Sequence, residues 1–149
     1  MKAQHFLIFF TIIAGILIAA ATVHYTAPIQ TEIQFRQMEI HFVNENATAK
    51  VEYEVGFLTQ LYVFFFGSRN LDPYLDQLLY DFDEYQITSV HGTTATIELI
   101  NASRPSGSYY LHDQHMLGYE VGRLIIYDPD GKTLSFENAT RTPNTFYDI

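Results

Sequence analysis

The stretch Tyr109-Tyr110-Leu111-His112-Asp113-Gln114-His115-Met116-Leu117 carries the side chains most able to do chemistry. Two histidines three positions apart, with Asp113 between them, supply two or three ligands for zinc or another divalent ion if the segment is helical or tightly turned. A complete metal site needs a further donor, and His91 and Glu120 are the conceivable ones. If the segment is extended, the odd spacing sends His112 and His115 to opposite faces and splits the pair. The preceding tyrosines have an extended pattern, so the expectation is a hydrogen-bonded connecting segment, with a metal-dependent hydrolase or metal-binding protein as the alternative. Tyr109 and Tyr110, with Phe64 to Phe66, also define a conceivable small-ligand cleft.

Other chemistry is sparse. No HExxH, GxSxG, phosphate-binding loop or strand-to-helix GxGxxG occurs, so no catalytic residue and no cofactor is expected. Asp128-Pro129-Asp130-Gly131 resembles the start of a calcium loop but lacks the later ligand spacing, and it is read as a type I hairpin turn with glycine at a left-handed position. Asp81, Asp83 and Glu84 form either a solvated acidic end to a helix or a cation-binding lip.

The elements that must position these residues are mostly strands. Alternation through Ile33, Phe35, Ile40 and Phe42 predicts a strand with a bulge near Gln37–Met38. Val51, Tyr53 and Val55 alternate with Lys50, Glu52 and Glu54, so the two segments form a hairpin with one wet face. The run from Phe57 to Phe66 is predicted as a buried helix, and Asn70 to Phe82 as a second helix. In the second, Asp72 is the expected cap, Pro73 the first helical residue, and Leu75, Leu78, Leu79 and Phe82 the apolar stripe. Two further hairpins are expected, one turning at His91-Gly92-Thr93 and one at Asp128 to Gly131. Ser103 to Ser108 is predicted as a loop, and the tail from Thr140 has no pattern of its own. The predicted fold is therefore α+β: an antiparallel sheet of about six strands in hairpins, with two consecutive helices on one face.

The N-terminus bears on location. Phe6 to Val23 holds no charge, follows Lys2, and contains Ala19 to Ala21 as small residues suited to a peptidase. Its length lies between the roughly 7–15 residue apolar core of a signal peptide and the about 17–25 residues of a membrane span. Residues 1–24 are thus a membrane anchor or signal peptide, residues 25–31 a linker, and residues 32–149 an extracytoplasmic domain. Asn46-Ala47-Thr48, Asn101-Ala102-Ser103 and Asn138-Ala139-Thr140 fit the N-glycosylation pattern and agree with export. There is no cysteine, so no disulfide framework holds the domain.

The segments "NATAKVEYEV", "LYVFFFGSRNL" and "TATIELIN" resemble those of small signal-anchored extracytoplasmic proteins of methanogenic archaea. The resemblance implies a cell-surface location and lends no activity or catalytic residue.

Net charge is −9, and about −10 without the N-terminal segment, which argues against a nucleic-acid partner because phosphate binding needs a basic face. The expected partners are the membrane, through residues 6–23, and other envelope proteins. The expected function is a non-enzymatic, membrane-tethered or secreted domain with an interaction or structural role in the cell envelope.

Overall fold

A computed structural model describes residues 33–56 and 71–148. The predicted N-terminal anchor and the predicted helix at 57–66 lie outside the described residues.

The first hairpin pairs β1 (Ile33–Val43) with β2 (Asn46–Val55) through a two-residue turn in which Asn44 has φ 56°. The alternation read from sequence is the burial pattern observed: Ala47, Ala49, Val51, Tyr53 and Val55 are all buried. The bulge falls between Phe35 and Gln37, slightly earlier than expected. Buried Phe35 and Met38 are three residues apart, and only an extra residue between them keeps both side chains on the core face.

One helix follows among the described residues, α1 (Asp72–Leu78). The predicted fold, two consecutive helices on a purely antiparallel sheet, is not what the described residues form: they are mostly strand, with this one helix and a mixed sheet. The helix begins with Leu71 as its cap, makes no side-chain capping bond, and has Asp72 in its first turn. It ends at Leu79, short of the predicted boundary, because the chain turns there with Leu79 at φ −103° and ψ 18°. The apolar stripe survives that shortening, since Leu75, Leu78, Leu79 and Phe82 are all buried.

The remaining strands are β3 (Tyr85–His91), β4 (Thr94–Leu99), β5 (Arg104–Ser106), β6 (Tyr109–His112), β7 (Met116–Tyr127), β8 (Thr133–Arg141) and β9 (Thr145–Asp148). They make two sheets. The larger has the order β3-β4-β2-β1-β7-β8, and the smaller β5-β6-β9. The larger is mixed, not purely antiparallel, because β1 and β7 run parallel with Phe35 opposite Val121 and His41 opposite Tyr127. A parallel neighbour cannot be reached by a hairpin; here the intervening chain carries α1 and five strands between the two.

One face of the large sheet is the core, with Met38, Ile40, Ala49, Val51, Ile97, Leu124 and Ile126 fully buried. The other face is wet and carries Arg36–Glu54 and Arg123–Glu137 ion pairs. The small sheet covers the end of β1, where Phe42 packs against His112 at 4.8 Å and Tyr147 at 5.3 Å between ring centres. The helix covers the start of β7. There a Cβ on Gly118 would lie 1.9 Å from the Gln77 carbonyl oxygen, so glycine is what lets the helix backbone approach the strand.

A line of kinks crosses three strands. Phe35 pairs with Val121 and Gln37 with Arg123, while Val121 pairs with Ala139 and Arg123 with Glu137. Arg36, Gly122 and Asn138 therefore occupy one row. Strands β1 and β7 change their inward phase there: Val121 and Leu124 are both buried, like Phe35 and Met38. A Cβ at Gly122 would meet the Arg36 carbonyl at 2.8 Å, and Asn138 takes a left-handed φ of 51°.

Candidate functional site

Strand β6 sets the direction of the histidine segment. It pairs with β9, Tyr110 opposite Tyr147 and His112 opposite Thr145, and these four residues share the inner face. Tyr109 and Leu111 point to the other side, so Tyr109 and Tyr110 do not line one cleft; Phe64 to Phe66 lie outside the described residues. The strand ends at His112, and Asp113-Gln114-His115 belongs to no strand. The break between β6 and β7 undoes the splitting that an odd spacing imposes on a strand. His112 and His115 come together with ring centres 5.4 Å apart.

His112 is completely buried, and both ring nitrogens are bonded. The Ala102 carbonyl lies 2.6 Å from Nδ1 and has no hydrogen to give, so Nδ1 carries the proton and donates. That leaves Nε2 as an acceptor, 3.2 Å from the Thr142 hydroxyl, which donates to it. The same hydroxyl accepts the His115 backbone N–H at 2.9 Å, and the Thr142 N–H returns to the His115 carbonyl at 2.8 Å. Burial holds the His112 imidazole down at about 4; the bond to Ala102 opposes that shift, nearby His115 adds to it, and Asp113 opposes it. His112 is thus a neutral side chain that ties the β4–β5 and β8–β9 connections to β6.

His115 is held differently. Its Nδ1 donates to the Asp81 carbonyl at 2.8 Å, and its ring stacks on Phe82 at 4.4 Å with an interplanar angle of 18°. The Asp81 carboxylate accepts the Met116 N–H at 2.7 Å. One member of the acidic helix end therefore staples the start of β7. Asp113 turns outward, where Arg104 donates to its two oxygens at 3.1 and 3.4 Å. Of the three predicted ligands, the structure brings His112 and His115 together and places Asp113 elsewhere. His91 lies in the exposed β3–β4 hairpin, and Glu120 is exposed on β7. Among the described residues no three His, Asp or Glu side chains converge as metal ligands.

Ala102, Thr142 and Asp81 complete this cluster; Asp81 belongs to the acidic run noted in the sequence, whereas no sequence pattern marks Ala102 or Thr142. Thr142 lies in a tail without periodicity, and Ala102 acts through its carbonyl, which any residue would supply.

A second polar group sits at the far end of the small sheet. The Tyr147 hydroxyl donates to the Asn44 carbonyl at 2.6 Å, and burial pushes the phenol up. Asp128 opens the β7–β8 turn, closed by the Gly131 N–H donating to the Asp128 carbonyl at 3.0 Å. Its buried Oδ1 has no partner, and burial pushes the carboxyl up, with Lys132 opposing and Asp130 reinforcing the shift. Gly131 has φ 81°, the left-handed turn position read from sequence.

All three predicted glycosylation asparagines are exposed, but they differ in what surrounds them. Asn46 accepts the Asn101 N–H on its side-chain oxygen at 3.0 Å. Ser103, which completes the Asn101 triplet, is buried at 5% exposure. Asn138 and Thr140 are both open on β8.

No known protein family, curated protein or solved structure matches this chain.

Proposed function

We propose that this chain is a membrane-tethered or secreted extracytoplasmic domain that works by interaction in the cell envelope and not by catalysis. The N-terminal apolar run, the acidic balance and the three acceptor triplets support the location. The observation that carries the interaction role is an aromatic pair on the outer face of the small sheet. Phe146 is 68% exposed, Tyr109 is 39% exposed, and their rings meet edge to face at 6.2 Å. Tyr147 and Tyr110, their neighbours in sequence, are turned inward, so the pair is surplus to the core. Exposed aromatics with Arg104 beside them are the composition of an interface centre.

The engagement of His112 also supports this function over metal chemistry. A metal at Nε2 would have to displace the Thr142 hydroxyl inside a closed core and leave the His115 N–H poorly paired.

Placing a photo-crosslinking residue at position 111, between the outer aromatics, tests the proposal in intact envelopes. A discrete crosslinked species is expected, weakened in the Tyr109→Ala/Phe146→Ala variant. Absence of any such species, or one indifferent to that variant, removes the interaction role.

A further inference from the structure

We propose that Asn138 carries an N-linked glycan whose first sugar lies on the ring of Phe136; this rests on the extracytoplasmic location proposed above. The local sequence is Phe136-Glu137-Asn138-Ala139-Thr140. Three independent features distinguish it from the other two triplets.

The first is access. Strand β8 is the outer strand of the large sheet, and only Ala139 within it is buried. Asn138 and the Thr140 hydroxyl are both open to solvent. The Asn46 side chain is engaged with Asn101, and the Asn101 triplet has its hydroxyl closed in by the core. Among the described residues the Asn138 amide makes no hydrogen bond, so its nitrogen is free to react.

The second is backbone geometry. Asn138 sits in the kinked row with Arg36 and Gly122 at φ 51°; Asn101 has a similar φ of 52°, but in a turn and not within a strand. A left-handed residue within a strand breaks the regular alternation and turns the side chain away from its ladder position. The Asn138 side chain lies where two shallow clefts meet, one of about 380 Å³ shared with Phe136 and Thr140, the other of about 400 Å³ shared with Tyr119.

The third is the flanking ring. Phe136 is 38% exposed although its cross-strand partner Leu124 is fully buried. An aromatic face left open two residues before an acceptor asparagine can be covered by the apolar face of a pyranose, which removes both from water. The attachment step needs a sugar donor, here a lipid-diphosphate-linked oligosaccharide. The Asn138 amide nitrogen forms a bond to the anomeric carbon, and the carbon–oxygen bond to diphosphate breaks. The lipid diphosphate leaves with the bonding electrons, and the amide proton passes to a base of the transferase.

A glycan here would also blunt an edge. Strand β8 has nine residues and, among the described residues, is paired on one side only, the type of strand that invites pairing with another chain.

The test uses the full chain with one acceptor triplet appended after Ile149 as a reporter, produced in a glycosylating secretory host. Enzymatic release of glycans in heavy-oxygen water marks each modified asparagine, and peptide mass spectrometry reads the marks. Asn138 and the reporter are expected to be marked, and Asn138→Gln to lose its share of the glycan. Phe136→Ala, at an exposed position, should keep the fold by circular dichroism yet lower Asn138 occupancy by about half or more. A marked reporter with Asn138 unmarked overturns the proposal. If neither is marked, the location falls and the glycan with it. Occupancy unchanged by Phe136→Ala overturns the contact with the ring.

Discussion

His112 and Thr142 share a buried hydrogen bond of 3.2 Å although 30 residues separate them in the chain. The Thr142 hydroxyl is bonded on both sides, donating to Nε2 and accepting from the His115 N–H. Neither residue is exposed at all, so water cannot substitute for either bond. The pair fixes the small sheet against the large one, and its loss should be felt as stability.

Thr142→Val keeps the shape and removes the hydroxyl, leaving the His112 acceptor and the His115 donor unsatisfied. A loss of about 2–4 kcal/mol is expected from two unpaired groups. Thr142→Ser retains the hydroxyl and should lose about 1 kcal/mol, the transfer value of one methyl group. Urea midpoints of the two variants distinguish polar from apolar loss.

Acid should destabilise the domain through His112. Its folded value is about 4, below the ordinary 6.5, so the unfolded chain binds the proton more readily. Stability from this residue is therefore full above pH 6.5, falls as pH drops from 6.5 towards 4, and falls no further below that. The loss is on the order of 3 kcal/mol. Denaturant unfolding between pH 7.5 and 4 should show this slope in the wild type and not in His112→Gln.

Asp128 should behave in the opposite sense. Burial raises its folded value above that of the unfolded chain, so its ionisation opposes folding as pH rises through the ordinary carboxylate range. Asp128→Asn is expected to raise the unfolding midpoint at pH 7, with the gain narrowing at pH 3. A lower midpoint at pH 7 would show that the carboxylate has a stabilising partner.

Gly118→Ala forces a methyl group onto the Gln77 carbonyl, where a Cβ has only 1.9 Å of room. The helix must lift from β7, at a cost of about 3 kcal/mol. Calorimetric melting measures it, with Gly56→Ala as a comparison at a position where nothing lies within 4 Å of the added atom.

What could be read from the sequence was local. The β1 and β2 alternation, the bulge in β1 and the Asp128 to Gly131 turn are short-range patterns, and all appear in the structure. The parallel pairing of β1 with β7 left no local trace, because register across 86 residues is decided by packing. Strands β5, β6 and β9 have three or four residues each, too few for a period to show. The helix expectation extended to Phe82, yet Leu79 and Phe82 are buried from a turn instead of a helix. For His112 and His115 the sequence posed the right geometric question. The answer depended on where β6 stops, and the residues that complete the cluster are drawn from connections of no distinctive composition.

The location of the domain is the claim on which the proposed function depends, and the absence of cysteine makes it directly measurable. Tyr80→Cys creates a single thiol outside the Tyr109–Phe146 pair, at a position that is 56% exposed in the native chain. Intact cells producing this variant are treated with a membrane-impermeant maleimide, and lysed cells serve as the total. Labelling of intact cells equal to that of lysed cells, or of protein recovered from the medium, is the predicted result. A thiol that reacts only after lysis would place the domain inside the cell and contradict the account.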